Sequence, residues 1–355
     1  MYKPLKLGEL TAKLPIVQGG MGVGVSLERL ASAVANYGGI GVLSAAQIGY
    51  REPEYEDSPT ETNIKAVKKY IKKAKELTTG DGIIGINIMV ATRRYEEYVQ
   101  AAVDAGVDLI VSGAGLPARL PKYTNGTNTK IAPIFSSARA ADILLHMWDK
   151  KYQTTADMIV IEGPDAGGHL GFSPDELKTI DKESFQKEVK EIIKCVKKYG
   201  DKYNKEIPVV LGGGITTADD VDEAMSLGVD GVQVATRFVT TEECDASPEF
   251  KQCYIDAKKE DIEIIQSPVG MPGRAIHNKF LERVHENPDK ITKCYQCIKT
   301  CNSVDTPYCI SRALINAVKG DTDNGLVFCG ANAYKADKIE TVPEVINDLL
   351  RLNLV

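Results

Sequence analysis

No stretch of this 355-residue chain carries the roughly 18 consecutive apolar residues of a membrane-spanning helix, so such a helix is not expected. The first residues, Met1 to Gly20, also lack the apolar core of a secretory leader. The expected compartment is therefore cytoplasmic, with no membrane partner. In a reducing compartment structural disulfides are disfavoured, which leaves the eight cysteines as free thiols or metal ligands. Basic charge is not in excess either: 43 Lys and Arg stand against 49 Asp and Glu, a net charge of -6. No nucleic-acid partner is expected on that balance, because phosphate binding needs clustered cations. The lysine-rich run from Lys65 to Lys75 alternates with apolar residues at helical spacing and reads as a solvated helix face. Repeats of solenoid period and low-complexity tracts are absent.

What is present is an alternation of two periods. Eight short Val/Ile-rich runs, apolar on both faces, read as parallel strands covered on both sides. They cover residues 14–17, 40–43, 83–88, 107–111, 131–135, 157–161, 207–211 and 229–234. Helical periodicity lies between them at residues 26–37, 62–77, 95–105, 138–150, 184–199 and 217–227, and the fourth connection, near 115–120, has room for a turn or two. Ser26 and Thr217 sit where N-caps belong, with Arg29 and Asp220 three residues on, so no capping box is expected at either. Eight strands with intervening helices favour an α/β fold of the closed (β/α)8 TIM-barrel type over an open sheet. The rhythm stops after the eighth strand. The expected organisation is a barrel over residues 1–241, an insertion or lid over 242–309, and a C-terminal segment, 310–355, that completes the barrel.

In such a barrel the chemistry sits at the carboxyl ends of the strands. The first strand leads into Gln18-Gly-Gly-Met-Gly22, where glycines let a flat ligand approach the backbone. The second strand ends without the acidic residue that a dinucleotide-binding turn uses on its ribose. Asn87 ends the third strand as an amide suited to a heteroaromatic ring edge, or to anchoring a loop. After the sixth comes Glu162-Gly-Pro-Asp-Ala-Gly-Gly-His-Leu-Gly171, which places His169 in a glycine-rich loop as a candidate general acid or base. The seventh and eighth end in Gly212-Gly-Gly-Ile215 and Gln233-Val-Ala-Thr-Arg237. Amides at those two ends, with a helix dipole behind them, make a single phosphate pocket.

Together these segments resemble the nitronate monooxygenase (2-nitropropane dioxygenase-like) family, which includes FMN-dependent enoyl-acyl-carrier-protein reductases. The resemblance runs through most of residues 14–240. It implies FMN, with the phosphate on Gly213, Gly214 and Thr236 near Gln233 and Ala235. The ring would lie near Gly20, Met21, Asn87, Glu162, Gly167 and Gly168. Family members often carry Gln where Glu162 stands. His169 matches the family's histidine beside the flavin. The leading expectation is oxidation of small alkyl nitronates with O2, His169 acting as base. The alternative is NAD(P)H-dependent reduction of enoyl thioesters, with an acyl carrier protein as partner. A homodimer is compatible with either. A non-flavin phosphate-binding isomerase or synthase remains a further alternative. Separately, Cys294, Cys297, Cys301 and Cys309 have a spacing compatible with zinc or a [4Fe-4S] cluster, and equally with free thiols. Met271 and Arg274 are candidate substrate contacts, His277 a surface residue, and the other four cysteines packing residues.

Overall fold

A computed structural model describes residues 2–352. A short hairpin, β1 (Leu5–Leu7) and β2 (Leu10–Ala12), precedes the barrel. There follow β3 (Ile16–Gln18), α1 (Glu28–Tyr37), β4 (Ile40–Ser44), α2 (Pro59–Leu77), β5 (Ile83–Asn87), α3 (Tyr95–Asp104) and β6 (Leu109–Ser112). Next come α4 (Pro121–Thr124), β7 (Lys130–Phe135), α5 (Ala138–Tyr152), β8 (Ile159–Glu162), β9 (Gly168–His169), α6 (Pro174–Thr179) and α7 (Lys182–Tyr203). The barrel ends with β10 (Val209–Gly212), α8 (Ala218–Ser226), β11 (Gly231–Val234) and α9 (Thr236–Val239). Strands β3 to β8, β10 and β11 pair in parallel and close into a barrel, β11 returning to β3. The expected TIM barrel is what the chain forms.

Closure follows from the two-sided apolar character of the strands. Val17, Val42, Ile83, Val111, Val160 and Val210 point into the barrel and fill it. Their neighbours Ile16, Leu43, Ile84, Ile110, Ile161 and Leu211 point outward, into the layer under the helices. Leu5, Leu7 and Ala12 of the hairpin join the interior cluster and plug the end of the barrel opposite the site. On α7 the buried stripe is Val189, Ile192, Val196 and Tyr199, the spacing of one helical face.

Local signals at two helix starts differ from expectation. Thr217 does cap α8 in a reciprocal box, with Asp220 taking the part that Glu or Gln plays more often. Ser26 does not cap α1. Its hydroxyl accepts from the Met21 amide, and the helix starts one residue later. The amides of Leu27, just before α1, and of Leu30 in its first turn instead donate to Asp245, at 2.8 and 3.2 Å, from beyond the eighth strand.

After α9 the chain builds the cover: α10 (Pro248–Asp256), the antiparallel pair β12 (Ile262–Gln266) and β13 (Pro272–Ile276), α11 (Lys279–Glu286) and α12 (Ile310–Val318). Strand β13 also pairs with β9, so the His169 loop is the third strand of the small sheet over the mouth. The last helix, α13 (Val342–Leu350), returns to pack beside α1 and α8 and completes the ring. The cover extends beyond the expected boundary at 309, since residues as far as Asn332 face the mouth. Among the described residues no helix is long and apolar enough to cross a membrane.

Candidate active site

A cavity of about 450 Å³ opens at the carboxyl ends of the strands. Every residue expected to serve catalysis or cofactor binding lines it: Gly20, Met21, Asn87, Glu162, Gly167, Gly168, His169, Gly213, Gly214, Gln233, Ala235 and Thr236. The inner wall is backbone-rich because side chains do not fit there. A Cβ on Gly20 would lie 2.6 Å from the Asn87 Cβ, which leaves a close-packed floor. Gly213 and Gly214 hold φ of 108° and 79°, the left-handed region open to glycine, and their turn borders the cavity beside Thr236.

The anion-binding expectation needs one amendment. The amides of Thr216 and Thr217, at the start of α8, donate to the Asp220 carboxylate at 2.9 and 2.8 Å. That end of the helix therefore has its own anion, and the turn at Gly213 and Gly214 with the Thr236 region remains for a ligand. Lys335 stands behind this end, its ammonium 3.4 Å from the Thr216 hydroxyl.

His169 sits where β9 meets β13, with Nε2 2.7 Å from the Ser267 hydroxyl and the Phe328 ring edge-on at 5.0 Å. Burial among these groups pushes its imidazole down to about 4, so the ring is neutral at neutral pH. Glu162, at the end of β8, accepts from the Gly171 amide at 2.9 Å. Burial pushes its carboxyl up to about 7, against that hydrogen bond, which favours the charged form. What surface these two groups keep faces the cavity. The two groups thus lie in one cavity with their titrations displaced in opposite directions by burial. Among the described lining residues Glu162 and Asp165 carry carboxyls, and none is Lys or Arg.

The outer half is apolar: Phe250, Tyr254, Met271, Leu314, Leu326 and Phe328 come from the cover. Met271 thus lines the cavity as expected. Arg274 does not line it. Its buried guanidinium donates to the carbonyls of Ala166 and, at 3.0 Å, Pro164, fixing the loop before His169. His277 lies on the surface between Glu263 and Glu282. Cys244 and Cys329 are buried, Cys195 and Cys253 half-buried. Ser267, Phe328 and the segment Cys329 to Asn332 were not expected at the site. Nothing local in the sequence marks them, because they reach the His169 loop and the cavity through partners that are distant in the chain. Cys294, Cys297, Cys301 and Cys309 do not line it. Among the described residues no three His, Cys, Asp or Glu side chains converge as on a single metal ion, so the four cysteines do not form a ready zinc site.

Comparison with known proteins bears on the family and the fold. A family model described as nitronate monooxygenase matches residues 3–351. A probable nitronate monooxygenase of Staphylococcus saprophyticus is 25% identical over 80% of this chain and 81% of its own. FabK from Thermotoga maritima superposes with a TM-score of 0.72 at 24% identity, over 95% of this chain and 92% of that one. A nitroalkane oxidase from Streptomyces ansochromogenes gives 0.71 at 20% identity, over 95% of both chains. At these identities the two structures establish the shared fold. The family match spans nearly the whole chain, from the hairpin to the last helix, and on it the chain belongs to the nitronate monooxygenase family.

Proposed function

We propose that the protein is an FMN-dependent oxidoreductase that oxidises alkyl nitronates, and the nitroalkanes from which they form, with O2 as electron acceptor. The observation that carries this reading is a neutral imidazole in a cavity without Lys or Arg.

The residues present fit FMN. Turn amides at Gly213 and Gly214, with Thr236, would hold its phosphate, and Lys335 lies behind to offset charge. Gly20, Met21, Asn87, Glu162, Gly167 and Gly168 offer a close-packed bed for a flat ring. When bound, the flavin would supply a two-electron sink that O2 can empty.

His169 then has a defined task. A neutral nitroalkane enters the apolar outer half without needing a cationic partner. Its α-proton passes to the imidazole, giving an imidazolium beside a nitronate. That pair supplies its own counter-charge, and at low dielectric the attraction is strong enough to offset the low basicity that burial imposes. Ser267 holds Nε2, which fixes the ring and leaves Nδ1 as the free position. Glu162, protonated up to about pH 7, adds no negative charge to repel the nitronate.

The cavity's apolar cover supports a second reading. Phe250, Leu314, Leu326 and Phe328 would suit the acyl chain of an enoyl thioester delivered by an acyl carrier protein, with NAD(P)H as electron donor. Anaerobic mixing of the purified yellow protein with nitroethane, its nitronate, NADH or NADPH separates the two. Bleaching by the nitronate and nitroethane is expected, with His169→Gln losing about a hundredfold or more on nitroethane while keeping its response to preformed nitronate. Rapid bleaching by a nicotinamide alone would establish the reductase, and a colourless protein that does not take up FMN would remove both readings.

A further inference from the structure

The phosphate end of the cavity has little charge of its own with which to hold an anion. Among the described residues no Lys or Arg lines it. Asp165 even borders the turn after β10: a Cβ on Gly214 would lie 2.9 Å from the Asp165 Cβ. The first amides of α8 are already taken by Asp220. A phosphate here depends on the remaining backbone amides, and their direction decides how well they hold it. Gly213, Gly214 and Ile215 line the cavity, and among the described residues their amides donate to no protein acceptor. Successive amides of such a turn make an anion-binding concavity.

What fixes their direction comes from the far end of the chain. Residues 329–335 leave the cover as a strap. The Cys329 amide donates to the Arg274 carbonyl on β13 at 3.0 Å, and the Ala331 amide to the Asp165 carbonyl at 3.2 Å. Gly330 lies against Thr236, after β11, where a Cβ would come within 2.5 Å of the hydroxyl oxygen. Asn332 reaches the turn after β10 and donates from Nδ2 to the Gly214 carbonyl at 2.6 Å. The strap therefore joins the two strand ends that build the phosphate pocket. The Gly214–Ile215 peptide is trans and planar, so its carbonyl and its N–H point in opposite directions. Tying the carbonyl to Asn332 turns the Ile215 N–H away from the strap and leaves it unengaged. Without that tie the glycine pair, which tolerates many backbone angles, could rotate the peptide at little cost.

We propose that Asn332 is the positioning residue of the phosphate site. It holds the Gly214–Ile215 peptide in the orientation that offers the turn's amides to a phosphate, and so makes the cavity prefer a phosphorylated flavin to one without phosphate. The proposal rests on the flavin reading of the cavity and is indifferent to which of the two reactions the flavin serves.

The test titrates the flavin-free full chain with FMN and with riboflavin, following the loss of flavin fluorescence. The wild type should bind FMN at least about a hundredfold more tightly than riboflavin. Asn332→Ala should weaken FMN about tenfold while moving riboflavin less than about twofold. Asn332→Asp, of nearly the same shape but without the donor, should weaken FMN further, because it sets a carboxylate beside the phosphate. Urea unfolding of the ligand-free proteins checks the fold, and the near-isosteric Asp variant carries the comparison if the Ala variant does not fold. A role in general packing would weaken both flavins alike. That result, or FMN affinity unchanged in the variants, or a wild type that binds riboflavin as tightly as FMN, would overturn the proposal and leave the flavin reading standing. A wild type that takes up neither flavin would remove that reading and the proposal with it.

Discussion

Glu162 and His169 should impose opposite pH dependences on the flavin-free protein, and replacing either one should expose the other. Burial carries the Glu162 carboxyl from 4.5 up to about 7. Between those values the unfolded chain ionises and the folded chain does not, so stability falls as pH rises. The imidazole of His169 is carried from 6.5 down to about 4. There the unfolded chain protonates first, so stability falls as pH drops. Each effect, taken over its whole range, is worth at most about 3.4 kcal/mol. In the native protein they nearly cancel between about pH 4.5 and 6.5. Relative to wild type, Glu162→Gln should therefore gain about 2.5 kcal/mol in stability on going from pH 5 to pH 8. Gln still accepts from the Gly171 amide, so the comparison isolates the charge. His169→Gln should shift the other way, with its stability relative to wild type about 2 kcal/mol greater at pH 5 than at pH 8. Urea unfolding of the three proteins at the two pH values is sufficient. If both variants track the wild type within about 0.5 kcal/mol, the two groups are not desolvated as the cavity geometry requires.

Two further substitutions test the architecture around the site. Gly167→Ala would set a Cβ 2.6 Å from the backbone carbonyl of Cys329, which cannot yield as a side chain would. It should cost about 1–3 kcal/mol by thermal unfolding and weaken flavin retention; unchanged stability and flavin content would show that the 329–332 segment is not packed against the loop. Asp245→Ala leaves the Leu27 and Leu30 amides without their acceptor, so it should cost about 2 kcal/mol in urea, and a loss under about 0.5 kcal/mol would mean that water serves the helix start equally well.

The barrel was legible because its signals are local. Residues such as Ile40 to Ser44 and Val209 to Gly212 are buried on both faces, and the sequence shows this as uninterrupted apolar runs. The cavity-lining positions were legible for the same reason: each follows directly from the end of a strand that could be found. What escaped depends on distant partners. Strand β9 is two residues long, and only its pairing with β13 makes it a strand. Asp245 caps a helix more than two hundred residues away, and Ser267 reaches His169 from the cover. The Thr217 box was missed because Asp220 is shorter than the Glu expected at that position, yet it still spans the turn. Apolar patterning carries no information about such contacts.

The three-stranded sheet over the mouth ties access to chemistry. Strand β13 is hydrogen-bonded both to the outer hairpin strand and to the backbone that bears His169. The hairpin therefore cannot swing away as a hinged door without dragging the imidazole or breaking that ladder. The ladder therefore keeps His169 in register with the cover whenever the hairpin stays in place.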